Sequence, residues 1–344
     1  MRILFGVNHP KHVYIFKNVI YNLLDQGHEI KVVAVEKEMT LTLLDKFKIP
    51  YDVVGKNQPT LMKKILDLPK WEYNTLKIAK DFKPDICVGR ALPHLVHVSA
   101  LLNKPFLIFE DTENAKLVHK ITLPFASSVV TPYCYKEDLG KKHIRFNSFF
   151  ELGYLHPKYF TPNDRIFESL ELDKNDRFII IRFVSWKASH DVGQHGFASE
   201  KELVEKLETY GKVCITSEHK LSKDLEKYRI TIPAERIHDL LYYSTMYMGE
   251  GAAMASECAV LGTPSIYVNT QTLGYLEELE KNYGLVHNFS NPANAQQTAL
   301  SKAFELLEDN NIKNKWRVKR EKLLNEKIDP TKFITEFIEG YNNI

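Results

Sequence analysis

Residues 245–268 (TMYMGEGAAMASECAVLGTPSIYV) have the types and spacing that point most directly to ligand chemistry. A predicted strand runs into a turn containing Gly249 and Gly251, and a helix of small residues then begins near Ala252. Glycine lets the backbone approach a ligand closely, and free N–H groups at a helix start bind anions. Glu257, inside this helix, is placed to reach the hydroxyl groups of a ribose. The alternative is a tight strand–helix turn that binds nothing.

Two histidines lie in the loop NHPKH at residues 8–12, directly after the first predicted strand. Loops of this kind lie at the carboxyl edge of a parallel sheet, where open α/β sheets bind their ligands. Histidine titrates near neutral pH, so His12 or His9 is a candidate general base, and Asn8 beside them is a further polar contact. The alternative is a histidine that caps a helix or supports the fold.

Three carboxylates follow another apolar strand in the segment FEDTENA at residues 109–115: Glu110, Asp111 and Glu113. Mutual repulsion predicts a raised pKa for one of these carboxyl groups, which would make it a base. An acidic helix start, favoured by the helix dipole, is the alternative. Arg90, at the end of the strand DICVG, is placed to meet a phosphate or a carboxylate, or to lie in solvent.

The chain as a whole has the composition of an ordinary globular protein. Its 344 residues carry 46 basic and 44 acidic side chains, and the net charge of +2 provides no basic field for a nucleic-acid partner. The four cysteines form no CxxC pair, which predicts reduced thiols in a cytoplasmic protein. No apolar run reaches the roughly 18 residues that a membrane span needs.

Strands and helices alternate along nearly the whole chain, which predicts parallel strands joined by crossover helices. The alternation breaks at residues 152–176, where proline and turn residues dominate, and restarts with RFIIIRFV at 177–184. We therefore predict two doubly wound, Rossmann-like α/β domains that face a cleft. Residues 1–151 form the first domain, 152–176 a linker and 177–326 the second domain. Residues 327–344 form a C-terminal helix that is expected to pack back on the first domain.

The segment 245–268 resembles the nucleotide-sugar signature of the GT-B glycosyltransferases and the UDP-N-acetylglucosamine 2-epimerases. Gly251, Glu257, Gly262 and Pro264 match its glycine turn, its ribose-binding glutamate and its GxP turn. The chain also resembles an uncharacterised microbial family that is grouped with the GT-B proteins and carries HPxHV, FKN and GHE motifs. Those motifs stand here at residues 9–13, 16–18 and 27–29.

The resemblance implies roles for residues in both domains. In the second domain, the nucleotide-sugar donor would be held by Ser185, Lys187, His190, Gly249, Gly251, Ala252, Glu257 and Gln271. In the first domain, the acceptor would lie against Asn8, His9 and Arg90. The catalytic base would be one of four residues there: His12, Glu110, Asp111 and Glu113.

The leading hypothesis is a glycosyltransferase of glycan biosynthesis, which moves a hexosyl or N-acetylhexosaminyl group from a UDP-sugar to a glycan, lipid-linked or small-molecule acceptor. No DxD motif occurs, which fits a mechanism without metal or cofactor in which a helix dipole stabilises the leaving group. The alternative is a UDP-N-acetylhexosamine 2-epimerase or a hydrolysing relative, although Gly89, Arg90 and Ala91 stand where those epimerases have GDT. A non-catalytic nucleotide-binding protein is the second alternative.

Residues 61–82 (LMKKILDLPKWEYNTLKIAKDF) mix apolar side chains with lysines. Such a helix can lie on a membrane with its apolar face in the lipid and its lysines at the headgroups. The pattern favours a crossover helix that faces the core and keeps its lysines in solvent. The alternative is peripheral contact of this helix with the inner face of a membrane.

Overall fold

The structure of the protein is a computed structural model that describes residues 1–185, 195–291 and 293–341. By its internal contacts the chain divides into two compact units. Unit 1 comprises Met1–Tyr154 together with the C-terminal segment from Ile328, and unit 2 comprises Leu155–Lys327. Of residues 152–176, which the sequence predicts to be a linker, 155–176 belong to unit 2 and bury Ile166 and Phe167 there.

Unit 1 is built on a parallel sheet whose described strands have the order β3-β2-β1-β4-β5-β6-β7. The strands are β1 Arg2–Val7, β2 Glu29–Glu36, β3 Asp52–Lys56, β4 Ile86–Gly89, β5 Phe106–Phe109, β6 Ser128–Pro132 and β7 His143–Phe146. The helices that follow or separate them are α1 Pro10–Asp25, α2 Thr40–Lys46, α3 Leu61–Phe82, α4 Pro93–Leu101, α5 Lys116–Thr122 and α6 Leu152–Leu155.

Unit 2 contains a second parallel sheet, whose described strands have the order β12-β11-β10-β8-β9. Its strands are β8 Phe178–Phe183, β9 Lys212–Ser217, β10 Met246–Gly249, β11 Ser265–Val268 and β12 Val286–Phe289. Its helices are α7 Ile166–Leu170, α8 Glu200–Leu207, α9 Ile237–Tyr243, α10 Ala252–Leu261, α11 Gly274–Lys281, α12 Ala295–Glu308 and α13 Ile312–Glu326. The predicted fold class of two doubly wound α/β domains with parallel sheets is confirmed.

The central strands are nearly continuous apolar runs because helices cover both faces of each sheet. In β8, for example, all residues except Arg182 are buried. In unit 1 the strand order reverses beside β1, which lies between β2 and β4, and in unit 2 it reverses beside β8, which lies between β9 and β10. Open α/β sheets bind ligands at the carboxyl ends of the strands on either side of such a reversal. The fold therefore places the loops after β1, β4, β8 and β10 at ligand-binding positions within their own units.

The last helix, α14 (Pro330–Gly340), belongs to unit 1 by its contacts. It packs on α1, with the Phe333 ring stacked on Phe146 at 5.2 Å between centroids and the Phe337 ring edge-on to Phe109 at 6.2 Å. The Asp329 side chain caps the helix by accepting a hydrogen bond from the Lys332 N–H. None of the described helices combines the length and the apolar character that a membrane span requires.

Candidate functional site

A network of buried charges lies at the carboxyl ends of β4 and β5 in unit 1. The Arg90 guanidinium donates through Nη2 to Glu110 and, at 2.5 Å, to Asp111. The Lys11 ammonium, in the first turn of α1, donates to Asp111 at 2.8 Å and lies 2.9 Å from the Glu151 carboxylate. The structure thus brings the predicted Arg90, Glu110 and Asp111 into direct contact, and adds Lys11 and Glu151, which the sequence analysis did not select.

The pKa of Asp111 shifts in the opposite direction from the predicted one. Burial acts to raise it, but the cations Arg90 and Lys11 outweigh burial and hold the pKa of Asp111 well below its usual range. The prediction that repulsion among the carboxylates raises a pKa is therefore wrong for Asp111. Its Oδ1 binds Arg90 and its Oδ2 binds Lys11, so this carboxylate is a poor proton acceptor.

Glu110 and Glu113 have different surroundings. Oε1 of Glu110 accepts hydrogen bonds from two backbone N–H groups of the following turn, at 3.0 and 3.1 Å, and Oε2 lies 4.0 Å from Nε2 of His119. Oε1 of Glu113 instead accepts a hydrogen bond of 3.3 Å from the Lys136 N–H. Both side chains are buried, so each carboxylate depends on these partners rather than on solvent.

Sequence reasoning missed two polar residues beside Glu110. His119 is buried in α5, and Tyr135 lies after β6 with its hydroxyl also buried. Burial raises the pKa of Tyr135, and the charges of Glu110 and Glu113 raise it further. Neither residue belongs to a motif. Tyr135 comes near Glu110 because β6 pairs with β5, and His119 because α5 folds back so that its Nε2 lies 4.0 Å from the carboxylate.

The two histidines of the predicted loop 8–12 have different roles, because α1 already begins at Pro10 and places His9 at its N-cap and His12 in its first turn. Nδ1 of His9 accepts a hydrogen bond from the Lys11 N–H at 3.1 Å and so caps α1. Nδ1 of His12 is buried and has no hydrogen-bond partner among the residues that the structure describes. Burial first, and then the charge of Arg90, lower the pKa of His12 well below its usual range, so the ring is neutral at pH 7. Asn8 is half-buried between β1 and α1.

In unit 2 the first turn of α10 has backbone N–H groups without partners in the helix. Gly251 occupies the N-cap position, and no described side chain caps the helix there. The Ala255 N–H donates to the Gly251 carbonyl at 3.1 Å, so the N–H groups of the three preceding residues have no partner within the helix. A Cβ atom on Gly249 would stand 2.4 Å from the Tyr247 hydroxyl, which explains the glycine at that position. N–H groups without helix partners, together with the positive end of the helix dipole, keep this turn, which includes Ala252, a candidate anion site.

Glu257 lies one and a half turns into α10 and contacts a residue that the sequence analysis missed. Its Oε1 is 3.2 Å from Nε2 of His238 in α9, and both side chains are less than 10% exposed. The Phe160 ring stands edge-on to His238 at 6.1 Å. His238 carries no motif signal, because its approach to Glu257 depends on the packing of α9 against α10.

Glu250, between the two glycines of the turn, is a further buried carboxylate. Its two oxygens accept hydrogen bonds from the N–H groups of Val184 and Phe197, each at 2.9 Å. Burial raises the pKa of Glu250 to about 7, although these two hydrogen bonds act to lower it. In the sequence this residue stands out only as part of the turn. Its place between Gly249 and Gly251 was the available signal.

The remaining predicted donor residues lie around this turn or outside the described part of the chain. The Ser185 hydroxyl and N–H both donate to the Glu218 carboxylate, at 3.2 and 3.3 Å. Gln271 is half-buried, and its N–H donates to the Asn269 side chain at 2.9 Å. Lys187 and His190 lie outside the described residues. Within the described residues, no group of three or more His, Cys, Asp or Glu side chains is arranged to hold a metal ion.

A family model described as "Protein of unknown function (DUF354)" matches residues 1–336. The chain belongs to this family. This DUF354 chain is 24% identical to the uncharacterized protein MJ0665 of Methanocaldococcus jannaschii over 275 residues. The aligned region covers 76% of the chain and 80% of that protein. The predicted resemblance to an uncharacterised family is thereby confirmed.

Solved structures confirm the predicted GT-B resemblance at the level of the fold. The UDP-GlcNAc 2-epimerase of Neisseria meningitidis, bound to UDP-GlcNAc, superposes with a TM-score of 0.65 at 14% identity, covering 98% of each chain. The glycosyltransferase SsfS6 of Streptomyces sp. SF2575, complexed with thymidine diphosphate, gives a TM-score of 0.60 at 14% identity, covering 98% of the DUF354 chain and 99% of its own. At such identities the likeness shows the GT-B fold alone.

Proposed function

We propose that this chain is a glycosyltransferase that moves a sugar from a UDP-linked nucleotide sugar to an acceptor without a metal ion or a cofactor. The observation that carries the proposal is the start of α10, where three N–H groups without helix partners follow a glycine turn at the strand-order reversal of unit 2. The nucleotide ligands of the two solved neighbours support it.

The donor diphosphate binds at the first turn of α10, where Gly251 and Ala252 leave room for the phosphates beside the backbone donors. Glu257 holds the ribose, with His238 as the partner that orients its carboxylate. Gln271, at the turn after β11, contacts the sugar. As the bond between sugar C1 and the diphosphate breaks, the helix dipole and the N–H groups stabilise the negative charge that leaves.

The acceptor binds in unit 1, and His12 removes the proton from its attacking hydroxyl. His12 is favoured over Asp111 because its buried Nδ1 has no hydrogen-bond partner among the described residues, whereas both oxygens of Asp111 are bound to cations. The proton passes to His12, the acceptor oxygen bonds to C1, and the nucleoside diphosphate departs with the electron pair. The buried network of Arg90, Glu110 and Asp111 holds the loops of unit 1 that bind the acceptor in place.

Release of nucleoside diphosphate, measured over a panel of UDP-, dTDP- and GDP-sugars, tests this function. Transferase activity predicts release that depends on an added glycan, lipid-linked or small-molecule acceptor, with a glycosylated product in the mass spectrum. A changed or hydrolysed sugar without any acceptor would identify the epimerase-type alternative instead. Binding without turnover of any nucleotide sugar would identify a non-catalytic nucleotide-binding protein.

Contact with a membrane surface stays a prediction, supported by the first turns of α3. Leu61, Met62, Ile65 and Leu66 are between 45% and 70% exposed there, with Lys63 and Lys64 interspersed. Co-sedimentation with vesicles of anionic lipid should fall about five-fold in the variant Met62→Asp/Leu66→Asp, because two charges would enter the apolar face. Equal sedimentation of this variant and the wild type would contradict the prediction.

A further inference from the structure

The Glu250 carboxylate joins two pieces of backbone that are separated in sequence. It is 5% exposed, and its oxygens accept hydrogen bonds of 2.9 Å from the Val184 N–H, at the end of β8, and from the Phe197 N–H. A carboxylate has two acceptor oxygens and no donor, so it satisfies both N–H groups at once. When the carboxylate is ionised, each of these hydrogen bonds is charge-assisted and stronger than a bond between neutral groups.

Gly196 gives an independent sign that this fit is close. A Cβ atom on Gly196 would stand 2.1 Å from Oε1 of Glu250, far inside van der Waals contact. The φ angle of Gly196 lies outside the left-handed region that favours glycine, so backbone conformation does not explain the residue. The approach of the carboxylate explains it.

The backbone of Glu250 connects further elements at the same edge of the sheet. Its N–H donates to the Arg182 carbonyl at 3.1 Å, and its carbonyl accepts a hydrogen bond of 3.1 Å from the Asn269 side chain after β11. Thr270 and His195 exchange two further hydrogen bonds. The ends of β8, β10 and β11 and residues 195–197 therefore meet around Glu250, whose next residue, Gly251, is the N-cap of α10.

Among the described residues, the charged groups around Glu250 do not neutralise it. Arg182 is paired with Glu218 at 2.6 Å, and the charges of Glu218 and Glu200 oppose ionisation of Glu250. Two N–H groups are the stabilising partners that the structure shows for its carboxylate. The N–H groups of Val184 and Phe197 thus hold the carboxylate in place, and the carboxylate in turn holds these two backbone segments together.

We propose that Glu250 is the positioning residue of the nucleotide-sugar site in unit 2: its carboxylate fixes the backbone at Val184 and Phe197 beside the first turn of α10. The inference rests on the proposed function, because the ligand whose binding it controls is the donor. Glu250 acts through these two segments and does not itself contact the phosphates, whose negative charge it would repel.

The test is a calorimetric titration of wild type, Glu250→Gln and Glu321→Gln with UDP-N-acetylglucosamine and the other nucleotide sugars. Glutamine offers one acceptor oxygen and turns an NH2 group toward the second N–H, so we expect roughly ten-fold or more weaker donor binding. Glu321→Gln removes the same charge from an exposed position in unit 2 and should bind as the wild type does. Hydrogen exchange at the Phe197 amide should accelerate in Glu250→Gln alone.

A double-mutant cycle with Gly196 gives a sharper readout. Gly196→Ala should weaken donor binding in the wild-type background, because its Cβ displaces the carboxylate, and should have no further effect in Glu250→Ala, where the colliding atoms are gone. Additive effects, or unchanged binding in Glu250→Gln, would overturn the proposal for Glu250 while leaving the proposed function intact. A wild-type protein that binds no nucleotide sugar would overturn both.

Discussion

Each unit buries a carboxylate at the carboxyl edge of its sheet, but the two carboxylates have different partners. In unit 1, Asp111 is held by the cations Arg90 and Lys11, and its pKa falls well below the usual range despite burial. In unit 2, the described partners of Glu250 are two backbone N–H groups, and burial raises its pKa to about 7. The difference shows that the edge of unit 1 is a fixed network of charges, whereas the edge of unit 2 is backbone arranged around one weakly stabilised charge.

The largest effect is expected where a cation is removed from unit 1. Arg90→Met leaves Glu110 and Asp111 buried without their shared partner, and we expect a loss of about 3–5 kcal/mol in the free energy of unfolding. Urea denaturation measures it, with Arg165→Met as the control at an exposed position of unit 2. The double variant Arg90→Met/Glu110→Gln should recover part of the loss. A loss below about 1 kcal/mol would show that the network does not stabilise unit 1.

The next effect concerns the pH dependence of stability in unit 2. The pKa of Glu250 is about 7 in the folded protein and near 4.5 when exposed, so the folded state binds the proton more tightly. The free energy of unfolding should therefore fall as pH rises from about 4.5 to 7, by on the order of 3 kcal/mol from this group.

Urea denaturation of wild type and Glu250→Gln across this pH range measures this effect. The difference between their free energies of unfolding separates the contribution of Glu250 from that of the histidines. Histidines with lowered pKa values, such as His94, whose pKa burial lowers to about 4, act in the opposite direction and cancel in the difference. If the difference between wild type and Glu250→Gln does not change with pH, the pKa of Glu250 is not raised, and its carboxylate is better stabilised than the structure shows.

A smaller effect in free energy is expected for the proposed base of unit 1. His12→Gln cannot accept a proton, so we expect turnover to fall about 100-fold with little change in donor affinity. His97→Gln, which changes a histidine paired with Glu72, is the control. Because burial and Arg90 lower the pKa of His12, wild-type turnover should stay constant from pH 8 down to about 6.5. Full activity in His12→Gln would assign the base to another residue.

The fold was predictable from the sequence because its signals are local. Apolar strands such as RFIIIRFV and the glycine turn at 249–251 are each contiguous, and parallel α/β topology follows from the alternation of strands and helices. The start of α10 is also a local signal, since its strand, turn and helix are consecutive in the sequence. That is why the sequence alone could predict a candidate anion site in unit 2.

The charge network of unit 1 was not predictable in the same way. Lys11, Arg90, Asp111 and Glu151 come from four separate parts of the chain, and the sign of the pKa shift at Asp111 depends on which cations fold against it. His238 beside Glu257 and the contact of Glu250 with Phe197 likewise depend on packing between elements. Sequence spacing identified the carboxylates and could not supply their partners.

The most direct test of the central claim is the affinity of the start of α10 for a nucleotide sugar, measured by calorimetry in Ala252→Glu and Gln297→Glu. Each variant adds one carboxylate to the first turn of a helix in unit 2, where the dipole tolerates it, but only Ala252→Glu places it at the candidate phosphate site. We predict that the wild type and Gln297→Glu bind a UDP-sugar equally and that Ala252→Glu binds it at least ten-fold more weakly. Equal affinity of all three proteins, or no binding by the wild type, would contradict the account.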